Sequence, residues 1–122
     1  MTNEEIDKMN AGPEMDQLIA EKVMGWDNCS EGYGRAPKFQ HVEGLRDTIP
    51  PYSTSISDVW EVAEKYDYFY LFRCLRGPFE GKYECKLLFE EGPDNDKRRY
   101  YAIAEAAPLA ICRAVLRSLA QK

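Results

Sequence analysis

The 122-residue sequence predicts an α+β fold: a three-stranded antiparallel meander with helices packed on it, in the order helix, long loop, helix, strand, strand, strand, helix. Three observations predict it. Apolar residues recur at helical spacing in three separate stretches. KYECKLLFE at 82–90 alternates with a period of two, which puts one face on a core and one toward water. Only RGPFEG and EGPDNDKRR separate the strand candidates, and breaks this short make hairpins rather than crossovers.

Residues 1–11 are polar and show no clear period, so a flexible tail with at most a frayed helical turn is expected there, and the domain proper over 12–122. Gly12-Pro13 opens the first helix, because proline's missing N–H is no loss in a first turn. Glu14 and Asp16 suit the positive end of its dipole. Met15, Leu18, Ile19 and Val23 make one stripe, and Gly25 supplies a left-handed stop, giving a helix over 13–24. Trp26 follows directly.

Residues 27–54 are rich in Gly, Pro, Ser, Asn and Asp and keep no period. A long irregular loop is expected, with one short strand around 38–42. Loops beyond about 12–15 residues are usually functional or disordered, so this segment draws functional interest. Ser55 and Asp58 fit a capping box, with Ile56, Val59, Trp60 and Ala63 behind it. They predict a helix over 56–66 with Trp60 in the core.

YFYLFRCL at 68–75 is apolar on both faces, with Tyr68, Tyr70 and Phe72 on one and Phe69 and Leu71 on the other. Such a strand is expected to be covered by a second layer. The rival is an interface with a partner or a second copy, where tyrosine is enriched. In the next strand Tyr83, Cys85, Leu87 and Phe89 face the core, and Lys82, Glu84, Lys86 and Glu90 face water. RYYAIAE at 99–105 is the third strand. Pro108 opens the last helix, with Leu109, Cys112, Val115, Leu116 and Leu119 as its stripe.

The formal net charge of −5 argues against nucleic acid and against an anionic membrane surface. No apolar run approaches the ~20 residues of a membrane span, and MTNEEIDKMN lacks the apolar segment of a secretory signal. The four cysteines form no C-x-x-C and His41 stands alone, so no metal or cofactor is expected. Reduced thiols in a cytoplasm, used as small core residues, fit that pattern.

GPEMDQLIAEKVMGW, PPYSTSISDVWEVAEKY and YYAIAEAAPLAICRAVLRSL resemble three signature blocks of the phage ABA sandwich domain family, spanning about residues 12–120. The resemblance implies an α/β/α layered sandwich and a phage or prophage protein, working in the cytoplasm of an infected or lysogenic bacterium. It implies no catalytic residues. Ala106 stands where a threonine would be expected, a lost cap worth about 1 kcal/mol at most.

The chain has no G-x-S-x-G, no phosphate-binding glycine loop and no H-E-x-x-H. Cys29 and His41 share the long loop, but a dyad needs hydrogen-bond reach and a third, orienting group. They read better as a loop thiol and an unrelated histidine. The carboxylate pairs Glu61/Glu64, Glu90/Glu91 and Asp94/Asp96 read as solvated acids. DNDK at 94–97 is too short for an EF-hand loop.

The function expected is a small non-enzymatic binding protein for a host or phage protein or a small ligand, with Trp26, Tyr33, His41 and Tyr52 as contacts around the loop. The alternative is a nucleic-acid- or nucleotide-binding module. It would use Lys97, Arg98, Arg99 and Tyr101, read as a basic hairpin turn over 97–101 with aromatics for stacking. The helix, three strands and helix also follow the chain order of double-stranded-RNA-binding domains, but AEAAPLA lacks their phosphate-holding lysines. A homo-oligomer is a further expectation.

Overall fold

The computed structural model describes residues 2–41, 43–66, 68–91 and 96–120, without the side chains at 39, 89–91 and 96–98. Its centre is the last helix, α4 (Ala107–Ala120). Every residue from Leu109 to Leu116 is buried, and so is Ser118. A helix apolar around most of its circumference must be enclosed on several sides. On one side lies the meander of β4 (Tyr68–Arg73), β5 (Tyr83–Glu91) and β6 (Asp96–Ala104), in that order in the sheet. On the others lie α1 (Asn3–Lys8), α2 (Pro13–Lys22) and α3 (Ile56–Ala63). The predicted α+β class and the antiparallel meander under packed helices are both present.

Helix α1 replaces the loose tail that the polar N-terminus suggested. Six residues are too few to form a stable helix alone. Thr2 caps it by accepting a hydrogen bond from the Glu5 N–H, and Ile6 is fully buried. Burying one isoleucine contributes about 1.5–3 kcal/mol to docking a helix whose single apolar residue shows no period. Arg113, itself buried in α4, ties this docking by donating to Ile103 O on β6 and to Met9 O just past α1, both at 3.1 Å.

Helix α2 stops where the sequence places its stop. Gly25 takes φ +75°, and the chain turns back so that the Trp26 N–H reaches Ala20 O at 2.9 Å. At α3, Ser55 Oγ accepts from the Asp58 N–H at 3.4 Å, the expected half of the capping box. The Ser55 N–H goes instead to Pro51 O at 2.9 Å, and α3 is shorter than the predicted 56–66. The Ala106 carbonyl, with no hydroxyl beside it, accepts the first bond of α4 from Ala110.

The segment read as one irregular loop holds a second, small antiparallel sheet. Its strands are β1 (Asp27–Ser30), β2 (Tyr33–Arg35) and β3 (Asp47–Thr48), with β2 in the middle. The strand expected at 38–42 is instead a 3₁₀ turn over Pro37–Phe39, because proline fixes φ near the helical value; Val42 lies outside the described residues. Strands of two to four residues are too short to show a period. Polar contacts hold them: one Arg46 nitrogen donates toward Asn28 O, Ser30 O, Ser30 Oγ and Tyr33 O, at 2.6–3.2 Å.

Two core assignments change. Trp60 is 46% exposed and meets Phe69 edge-on, with ring centroids 5.0 Å apart. It sits at the rim because α3 lies beside the meander and α4 takes its centre. Nothing among the described residues covers the outer face of β4. The helices that touch the meander, α4 along β5 and β6 and α3 through Trp60, all lie on the side of Cys85, Leu87, Tyr100 and Ala102. Tyr68, Tyr70 and Phe72 are left exposed.

Candidate functional site

The open face follows from strand alternation and register. In β4, Phe69 and Leu71 pack against the core, so Tyr68, Tyr70 and Phe72 point the other way. Antiparallel pairing with β5 and β6 then builds three cross-strand rows: Tyr68–Leu88–Arg99, Tyr70–Lys86–Tyr101 and Phe72–Glu84–Ile103. Within them the Tyr70 and Phe72 rings are nearly parallel, 12° apart in plane and 6.1 Å between centroids. Lys86 Nζ stands 5.6 Å from the Phe72 centroid, within cation–π reach. Tyr70, Phe72, Lys86, Leu88, Arg99 and Tyr101 line a shallow groove of about 340 Å³. Its lining, among the described residues, holds two cations and no carboxylate; Glu84 lies in the neighbouring row.

The floor of this groove is braced from behind. Arg117 of α4 donates to Tyr101 O at 3.3 Å and forms an ion pair with Asp7 of α1. Tyr66 shares a hydrogen bond of 2.9 Å with Ser118 of α4, just ahead of β4. The face therefore stands on the most densely buried part of the molecule.

The basic run is placed differently from its sequence reading. Residues 97–101 are not a turn but part of β6, because the hairpin strands run on to Glu91 and resume at Asp96. Lys97 and Arg98 pair in register with Glu90 and Phe89, and their side chains lie outside the described residues. Arg99 and Tyr101 are brought together on the open face, whereas Tyr100 turns into the core.

The loop residues are only partly gathered. Trp26 and Tyr52 share a second groove of about 450 Å³ between the small sheet and α3, together with Lys38, Asp47, Glu61 and Lys65. Tyr52 is 1% exposed, and burial, reinforced by Glu61, Asp58 and Asp16, pushes its hydroxyl from 10.0 to about 12. Trp26 is half-buried against Gly34, whose backbone leaves room for no side chain: a Cβ there would lie 2.7 Å from Cys29 Sγ and 3.1 Å from the indole. Trp26 thus pins the small sheet to the core. Tyr33 and His41 are exposed and do not line this groove.

Cys29 Sγ lies 3.7 Å from Asp27 O, and burial, with Glu21 and Asp27 adding to it, pushes its thiol up. A nucleophilic cysteine needs the opposite shift. Cys85 and Cys112 are buried core residues, while Cys29 and Cys74 are half-buried; all four are free thiols. Glu61 and Glu64 are exposed, and the side chains of Glu90, Glu91, Asp94 and Asp96 lie outside the described residues. Among the described residues, no three His, Cys, Asp or Glu come together as a metal site, and no helix is long and apolar enough to cross a membrane.

The signal for the open face lay in combining two strands. Lys86 reads as water-facing from its alternation, and antiparallel pairing sets Tyr70 beside it. A face wet at one strand is not covered at its neighbour.

A family model for the phage ABA sandwich domain matches residues 17–116. Among solved structures, the chain is similar to a phage protein from Bacillus cereus ATCC 14579, known from a 2.0 Å crystal structure. That protein is 27% identical, the match covers 93% of each chain, and the TM-score is 0.67. Comparison with curated proteins finds no match.

Proposed function

This chain belongs to the phage ABA sandwich domain family, and for it we propose a non-enzymatic binding role, exerted through the open aromatic face of the meander on a small anionic ligand. The observation that carries the reading is the row Tyr70–Lys86–Tyr101 with Arg99 beside it: exposed aromatics and cations on a rigid sheet, with no described acid in the groove lining. Exposed aromatic side chains cost solubility, and small-molecule sites combine apolar walls with a few placed polar groups. A groove of about 340 Å³ falls within the usual size of such sites. The raised Cys29 thiol weighs against that residue as a nucleophile. The chain's similarity to the Bacillus cereus phage protein supports a phage or prophage origin. Its proposed place of action is the cytoplasm of a bacterial host.

The test is amide NMR of the labelled protein titrated with the small-molecule fraction of infected host cells. Shifts clustered at residues 68–72, 84–88 and 99–103, and lost in Tyr70→Ser/Tyr101→Ser, are expected. Shifts confined to the groove around Trp26 and Tyr52 would move the site to the loop and sink this reading.

A further inference from the structure

We infer that the ligand of the open face is a nucleotide, its base stacked on Tyr70 and Tyr101 and its phosphates held by Lys86 and Arg99. The inference rests on the face being the binding surface and adds the chemical class. Tyr70 and Tyr101 flank Lys86 in register from the two outer strands, and the Lys86 ammonium stands 5.6 Å from the Phe72 ring centroid in the next row. Arg99 stands one row along on the same strand as Tyr101, two residues away and on the same face. A ligand that satisfies all four needs a flat π-system joined to an anion a few ångströms away. Aromatic side chains on a sheet stack on nucleobases with little sequence preference, and cations beside them take the phosphates.

A second copy of the chain fits less well. Lysine is depleted at interface cores, and Lys86 occupies the middle row of the middle strand. Self-pairing of this face would bring two Lys86–Arg99 groups into one dry interface, each charge shedding water. A long polynucleotide also fits less well, since the chain carries a net charge of −5 and its backbone phosphates would meet repulsion beyond the face. A short phosphate-bearing base reaches the two cations without that cost.

The experiment is calorimetric titration of the full chain with ATP, GTP, CTP and UTP, mapped by amide NMR. Adenosine and tripolyphosphate serve as the two half-ligands, and a short oligothymidylate as the single-stranded source. At least one nucleotide is expected to bind with shifts at Tyr70, Lys86, Arg99 and Tyr101, and each half-ligand to bind about tenfold or more weaker. Lys86→Gln/Arg99→Gln should bring nucleotide down to the affinity of adenosine, and Tyr70→Ser/Tyr101→Ser down to that of tripolyphosphate. All four positions are exposed or groove-lining, so the fold survives these changes.

Tighter binding of the oligothymidylate, with a steep salt slope, would assign the nucleotide to a strand rather than to free solution and uphold the shared chemistry. Equal affinity for tripolyphosphate and nucleotide overturns the inference, and so does nucleotide binding away from the face. If host small molecules shift the face while every nucleotide leaves it unmoved, the class fails and the binding surface stands. A concentration-dependent dimer dissolved by Tyr101→Lys, with no ligand shifts, overturns both.

Discussion

Asp16 and Ser53, 37 residues apart in sequence, hold each other through a single carboxylate oxygen. Asp16 Oδ1 accepts from the Ser53 N–H at 2.7 Å and from its hydroxyl at 2.6 Å, and Ser53 Oγ in turn accepts from the Gly12 N–H at 2.9 Å. Both side chains are buried, so the start of α2 is locked to the turn that precedes α3.

Removing the acid leaves the buried Ser53 N–H without an acceptor and its hydroxyl with only Gly12 O at 3.4 Å, and a buried unmet donor costs about 1–3 kcal/mol. Asp16→Ala is therefore expected to cost about 2–4 kcal/mol by urea denaturation, and Ser53→Ala about 1–2 kcal/mol. In the double variant the costs should fall short of the sum, because the pair shares its bonds. An Asp16→Ala loss well under about 1 kcal/mol would show that water replaces the lost carboxylate.

Arg113 predicts a local failure rather than a global one. Arg113→Met keeps the buried stem but removes the two donors to Ile103 O and Met9 O. The expected result is faster hydrogen exchange at the Ile6 amide, which bonds to Thr2 O, by about tenfold or more, with the α2 amides little changed. Equal acceleration in both helices would mean that α1 docks without the arginine.

Gly34 tests the packing of the small sheet. Gly34→Ala places a methyl group against Cys29 Sγ and the Trp26 ring, and overpacking of this kind costs about 1–3 kcal/mol. Cys29→Ala removes the nearer contact, so Cys29→Ala/Gly34→Ala should regain a large part of the loss. No recovery in the double variant would place the obstruction at the indole.

Alkaline stability follows from three buried acids. Burial, then Glu84, pushes the Cys85 thiol from 9.0 to about 12, and burial likewise raises Tyr52 from 10.0 to about 12. Cys112 is raised in the same direction by burial. The folded chain therefore keeps protons that the unfolded chain releases. This contribution is complete below pH 9.0 and is lost as the pH rises toward about 12. Between about pH 8 and about pH 10.5 each such thiol should cost about 2 kcal/mol. Urea midpoints at the two pH values check it, and Cys85→Val should flatten the fall.

The open face should be expendable for folding. Tyr70→Ser and Tyr101→Ser each remove an exposed side chain, for which changes within about 0.5–1 kcal/mol are expected. A larger loss in either would show that the ring is structural.

The three longer helices and the meander were legible because each spans enough residues to repeat its period; Met15 and Ile19 in α2, and Cys85 and Leu87 in β5, are buried as spacing requires. Helix α1 was not, since Ile6 alone makes no stripe. The small sheet escaped because its order comes from Arg46 and from the glycine at 34, which are contacts across the chain rather than along it. At the candidate site, Arg99 and Tyr101 were legible as chemistry but not as geometry. Tyr70 and Phe72 were legible as a strand face, but composition alone does not tell a covered face from an open one.

Helix α4 follows in the chain every element that it organises. A ribosome delivers α2, α3 and the meander before the helix they all rest on. Until α4 emerges, the inner residues Ile19, Val59 and Leu87 lack the buried helix around which their cluster is packed. The core of this domain thus closes only once α4 has been made, and the interval before that is when its apolar surface is most open to aggregation.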